Sequence, residues 1–155
     1  MIYSSACGYA IQAITRLTLM QSDGYVLLDD LCAGTDLPRH FVAKVFQDLV
    51  REGLLVSAKG RGGGFALARE PKQITLLQIV AAIDGLDHFD ECVVGMAKCS
   101  DLQPCPQHDE WKTIRTRIRS FLEATTLDKM GKTTAKKMHL IGMTLPSPTR
   151  KSKPL

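Results

Sequence analysis

Residues 38–68 read "PRHFVAKVFQDLVREGLLVSAKGRGGGFALA", an amphipathic run followed by two short apolar runs around a glycine-rich turn. Pro38 suits the first turn of a helix, where its missing amide hydrogen would have no partner anyway. Phe41, Val45, Phe46 and Leu49 then recur at helical spacing on one face. The other face carries His40, Ala43, Lys44, Gln47 and Arg51, and Gly53 stops the helix. "LLVSA" and "FALA" flank "KGRGGG", which is a hairpin signal.

The flanking sequence supplies a scaffold for this pair. Ala6, Tyr9, Ala10, Ala13, Leu17 and Met20 give an amphipathic first helix ending before "SDG". "VLLDDLCAGTDL" reads as a short second helix with Leu28, Leu31 and Cys32 inward. Thr75 can cap a fourth helix, "LLQIVAAIDG", closed by Gly85. Three helices followed by a two-stranded wing make a winged helix-turn-helix, so the predicted fold is mainly α with a small β-hairpin wing. Residues 1–85 form that DNA-binding unit. Residues 86–108 contain "CVVGMAKCSDLQPCPQH" and show no periodicity.

A last helix is predicted from about Gln107 to Lys129. Trp111, Ile114, Ile118, Phe121 and Thr125 alternate steps of three and four along it, the period of a coiled-coil seam. So small a domain leaves this seam little to pack against, and its expected partner is its own copy. Residues 109–130 are accordingly read as a dimerisation helix and the protein as a homodimer.

Composition bounds the function. The chain has 155 residues, 45% hydrophobic and 23% charged, which fits one globular domain. No apolar run is long enough to cross a membrane, and the start lacks the pattern of a secretory signal. A cytoplasmic location is expected, where cysteines serve as ligands or reactive thiols more often than in disulfides. The net charge is +4, yet from Lys129 onward there are seven Lys or Arg and no acid, which leaves −3 on the residues before it. Residues 131–155 are therefore read as a basic, disordered tail. No paired acid and base, nucleophile constellation or cofactor fingerprint points to an enzyme or to a small-molecule substrate.

In a helix-turn-helix the second helix of the motif enters the major groove. Here that is the helix opening at Pro38, whose outward residues Arg39, His40, Ala43 and Lys44 stand at the base-reading end. Arg, Lys and His can donate to guanine, while Arg51 farther along suits a phosphate. In the turn, Lys59 and Arg61 alternate with Gly60 and Gly62, which lets the backbone approach a phosphate and Arg61 enter a narrow minor groove. A nucleotide-binding phosphate loop does not fit, because "GRGGGF" lacks a Lys-Ser or Lys-Thr ending and lies between strands.

Cys92, Cys99 and Cys105 are three of the chain's five cysteines, and His108 follows the last of them. No pair has the two-residue gap of a zinc knuckle or a redox CxxC. Widely spaced thiolates on a loop suit an iron–sulfur cluster, whose irons lie apart; a structural zinc site or a bare thiol switch is the alternative.

The chain resembles the Rrf-two family of bacterial winged-helix regulators over about residues 1–128. The likeness rests on "YAIQAITRL", "VAKVFQDLVREGLLVSAKGRGGGFALA", "ITLLQIVAAIDG" and three cysteines before a Trp-bearing helix. The resemblance implies a homodimer on a pseudo-palindromic operator in double-stranded DNA. It implies an iron–sulfur cluster on Cys92, Cys99 and Cys105, two-iron (2Fe–2S) rather than four-iron, whose state shifts DNA affinity. One class of the family uses a histidine just after the third cysteine, matched by His108. Another uses a carboxylate near the N-terminus, where this chain has Gly8. The first cysteine gap is one residue longer than in those two classes, though a third class of the family has a longer one still. The chain also departs from the family in Lys59 and Phe65 of the wing, and in Ala43, where relatives carry a polar base-reading residue. Cys7 and Cys32 are expected to be packed thiols, and His88 is an outside candidate for the fourth ligand.

Overall fold

A computed structural model describes residues 2–20, 24–96 and 98–145 of the protein. Its order is α1 (Ser5–Leu19), α2 (Leu28–Cys32), α3 (Arg39–Arg51), β1 (Leu55–Ala58), β2 (Gly64–Leu67), α4 (Leu76–Ile83), α5 (His108–Ala124) and α6 (Leu127–Leu140). Short 3₁₀ turns lie at Pro71–Gln73 and Asp87–Asp90.

The winged helix-turn-helix is as expected. Helix α1 is the central post: Cys7, Ala10, Ala13 and Ile14 have no exposed surface, and α3, α4 and α6 pack around it. Its start is pinned twice. The Ser4 hydroxyl accepts from the Cys7 N–H at 3.1 Å and donates to Asp84 at the end of α4 at 2.5 Å. Phe46 and Leu49 of α3, Leu54 beside the wing, Ile79 of α4, Leu122 of α5 and Leu127 of α6 are all fully buried. Each such side chain contributes roughly 1.5–3 kcal/mol, so one core ties every helix to the reading head. Thr75 forms a capping box with Gln78 that starts α4, the element that supports both α3 and α5.

The wing is an antiparallel pair with Leu55 opposite Leu67 and Ala58 opposite Gly64. Val26 extends it by exchanging both backbone hydrogen bonds with Phe65, at 2.8 and 2.9 Å. The Phe65 ring meets Phe46 edge-on with centroids 5.1 Å apart, which locks the hairpin to α3. Phe65, a departure from the family pattern, thus serves as the wing's anchor.

Two expectations need correction. The last helix does not run from Gln107 to Lys129: α5 ends at Ala124, and Thr125 and Thr126 adopt extended backbone. Those two residues pair with the segment before α4, Leu76 N–H donating to Thr125 and Leu127 N–H to Ile74, each at 2.9 Å. Thr126 then caps α6 by accepting from the Lys129 N–H at 3.3 Å. Burial of Leu122 and Leu127 on either side fixes this corner. Nor is the stretch after residue 130 a featureless tail as far as residue 140: it belongs to α6, which packs on α1, with Gly131 against Thr18 and Leu19. The stretch 146–155, which holds the remaining basic residues of the predicted tail, lies outside the described residues.

Candidate nucleic-acid interface and cysteine centre

Helix α3 opens at Pro38, whose carbonyl accepts from the N–H of Phe41 and of Val42, both at 2.9 Å. Its first turns present Arg39, His40 and Lys44 to solvent. Arg39 is not a loose cation: its Nε donates to Asp29 on α2, although both side chains remain well exposed. That tether fixes the direction of the guanidinium and leaves its outer nitrogens free to donate. The His40 ring stands edge-on to Phe41 at 6.4 Å. Ala43 is half-buried and packs on the core, so this position offers a methyl contact and no hydrogen bond. Arg51 pairs with Asp48 at 3.0 Å at the far end of the helix, away from the first turns.

At the wing tip Lys59, Gly60, Arg61 and Gly62 are all exposed. Gly60 and Gly62 have φ of 83° and 79°, and Gly63 N–H donates to Gly60 at 3.1 Å, which closes the turn. Sequence reasoning missed Asp29. Its side chain meets Arg39 ten residues on, and only the packing of α2 on α3 brings them together.

The loop between α4 and α5 is stitched down at several points. Cys99 N–H donates to the Asp90 carbonyl at 3.0 Å, the Trp111 indole to Glu91 at 3.0 Å, and the Arg115 guanidinium to Phe89 at 3.2 Å. The result is a cavity of about 430 Å³ whose lining includes Cys92, Cys99, Cys105 and His108. The donors stand as two pairs. Cys92 Sγ lies 3.8 Å from Cys105 Sγ, and Cys99 Sγ lies 3.2 Å from His108 Nδ1. Backbone N–H groups of Val94 and Met96, with the Cys105 thiol and Gly95 N–H behind them, pull the Cys92 thiol below its usual range. His108 is 4% exposed, and its Nε2 lies 2.7 Å from Asp101 Oδ1. Lys112 and His108 together hold the Asp101 carboxyl at about 2.

These distances test which metal group would fit. Metal–sulfur bonds of about 2.3 Å and tetrahedral angles put two thiolates of one metal about 3.8 Å apart, and a thiolate and an imidazole nitrogen about 3.5 Å apart. Both pairs are near those values. Among the described residues, no three His, Cys, Asp or Glu groups converge on a single point. Each pair taken alone is thus spaced as two donors to one metal would be, and among the described residues no third such group joins either pair.

The other candidates stand apart. His88 stacks on Phe89 with centroids 4.1 Å apart and does not line the cavity. Cys7 has no exposed surface, and burial followed by the Asp84 charge pushes its thiol up to about 12. Cys32 is half-buried, and burial raises its thiol as well.

Comparison with known proteins agrees with the fold. Residues 3–133 match the family model "Rrf2: Iron-dependent Transcriptional regulator". A putative HTH-type transcriptional regulator of Aquifex aeolicus is 33% identical over 129 residues, 82% of this chain and 89% of that protein. The HTH-type transcriptional regulator IscR of Pectobacterium atrosepticum is 28% identical, covering 79% of this chain and 74% of its own. Among solved structures, T. potens IscR superposes with a TM-score of 0.70 at 23% identity, covering 86% of this chain and 88% of that one. CymR, the global cysteine regulator of B. subtilis, also gives 0.70, at 22% identity, over 84% of this chain and 95% of that one. With its winged helix, wing and cysteine loop in place, the chain belongs to the Rrf2 family of transcriptional regulators.

Proposed function

We propose that this regulator acts as a homodimer whose operator affinity is set by a two-iron iron–sulfur cluster. Cys92 and Cys105 would hold one iron, and Cys99 and His108 the other. The observation that carries this is the pairing of the four donors around one cavity, at distances suited to two tetrahedral metals. The T. potens and Pectobacterium IscR relatives support the same reading. Such a cluster supplies a centre that responds to redox state, nitric oxide or iron supply by changing or being lost.

The chain's own residues carry the response. His108, Trp111 and Arg115 link the cysteine loop to α5, α5 packs on α4, and α4 packs on α3. The order of residues 86–108 therefore bears on the helix that holds Arg39, His40 and Lys44. Those three residues read base edges, with Ala43 as a methyl contact, while Arg51, Lys59, Gly60, Arg61 and Gly62 engage the phosphate backbone or minor groove. On the dimer side, Ile114 and Phe121 of α5 are 48% and 54% exposed, beside the half-buried Trp111 and Ile118. A second copy would cover this face.

The decisive experiment compares cluster-loaded and cluster-stripped protein on a pseudo-palindromic operator from its own promoter region. An affinity difference of about tenfold or more is expected, within the usual range of allosteric coupling. A colourless protein with stoichiometric zinc, or equal affinity in both forms, would overturn the reading. Ile114→Glu combined with Phe121→Glu is expected to run as a folded monomer in native mass spectrometry. Lys59→Ala, as a phosphate contact, is expected to weaken binding to all sequences alike and to reduce the salt slope by about 1, measured by titration at several salt concentrations.

A further inference from the structure

One ring nitrogen of His108 faces Cys99, and an acid on the loop occupies the other. Asp101 Oδ1 lies 2.7 Å from His108 Nε2 and 2.7 Å from Lys112 Nζ. A carboxylate accepts and does not donate, so Nε2 carries a ring proton, and in the neutral ring Nδ1 then has the lone pair that faces Cys99 Sγ at 3.2 Å. His108 and Lys112 lie one helical turn apart on the same face of α5. Asp101, in "CSD" just after Cys99, thus grips both the ligand candidate and its neighbour from the loop.

We infer that Asp101 is a positioning residue for the cluster: its carboxylate, steadied by Lys112, holds His108 so that Nδ1 is the ligating nitrogen. This rests on the proposed cluster reading and deepens it. Hydrogen-bond partners of this kind fix the tautomer and ring orientation of a ligating histidine and raise its basicity. The Asp101 side chain is 69% exposed, and among the described residues its hydrogen bonds run to His108 and Lys112, so it fills no part of the core.

The test uses the anaerobically purified, full-length, cluster-loaded protein, with histidine carrying heavy nitrogen at Nδ1 alone or at Nε2 alone. Pulsed electron paramagnetic resonance of the reduced cluster is expected to show strong coupling to Nδ1. In Asp101→Ala that coupling should be lost or mixed with Nε2, and the cluster should be lost to a chelator about tenfold faster or more. Asp101→Asn keeps an accepting oxygen for Nε2, so it should restore Nδ1 coupling and most of the lifetime, while removal of the negative charge raises the midpoint potential. Melting of the cluster-free protein should not change in either variant. Loss of the cluster in Asp101→Ala with its return in Asp101→Asn is a stronger form of the same result. Nε2 coupling in the wild type, unchanged coupling and lifetime in Asp101→Ala, or cluster loss in both variants would overturn the positioning role. A wild-type cluster with no coupled nitrogen would instead overturn His108 as a ligand, a separate failure of the parent proposal.

Discussion

Cys99→Ala protein prepared without oxygen is expected to be colourless and to lack acid-labile sulfide, yet to remain a folded dimer. Cys99 is half of the Cys99–His108 pair, so its loss leaves one metal position with a single protein donor. The fold should tolerate the change. The loop's tie through Cys99 is a backbone bond to Asp90, which Ala retains. Among the described residues of 86–108, Phe89 and His108 are buried and Leu86 packs against the core, and none of the three is substituted. Melting should therefore shift by no more than an ordinary half-buried substitution allows, about 1 kcal/mol. Operator affinity should equal that of cluster-stripped wild type. Cys32→Ala serves as the control and should keep full iron and sulfide. A Cys99→Ala protein that retains stoichiometric cluster, or one that no longer dimerises, would refute the assignment in different ways: the first shows that Cys99 is not a ligand, the second that the loop is structural.

Gly64→Ala is expected to be a strongly destabilising methyl addition in the wing. Gly64 has φ of 132°, and a Cβ there would lie 2.2 Å from the Val26 carbonyl oxygen and 2.6 Å from its carbon. Backbone cannot rotate aside as a side chain can. Relief requires breaking the paired hydrogen bonds between Val26 and Phe65, which hold Phe65 against Phe46. A cost of about 3 kcal/mol is expected, equivalent to a melting point lower by about 6–12 °C. Gly62→Ala is the comparison. Its φ is also positive, at 79°, but nothing lies within 4 Å of the added carbon, so only the left-handed backbone penalty of about 1–2 kcal/mol applies. Equal melting of Gly64→Ala and wild type in a thermal scan would mean that the wing is not seated as described.

Most of the reading head was legible in residues 38–68, because local rules govern it. Helical spacing placed Phe46 and Leu49 inward, and glycines marked the stop and the turn. The same rules misplaced the end of α5. The seam from Trp111 to Thr125 has an unbroken period, and the Thr125–Thr126 corner is enforced from outside by backbone bonds to Ile74 and Leu76. Thr126 followed by Asp128 has the pattern of a helix start, a signal that the seam's periodicity conceals. Helix α6 was missed because its buried face is slight, Leu127 and Gly131, and forms only against α1.

By itself, the sequence determined the fold class, and it gathered Arg39, His40 and Lys44 on one helix and Cys92, Cys99, Cys105 and His108 on one stretch, since each depends on residue type and short-range spacing. Only the tertiary structure decided how those donors pair, Cys92 with Cys105 and Cys99 with His108, and that Asp101 and Asp29 hold His108 and Arg39 in place. Spacing along a loop without periodicity limits reach but not direction. Direction comes from the hydrogen bonds that tie the loop to α5 and from the packing of α2 on α3.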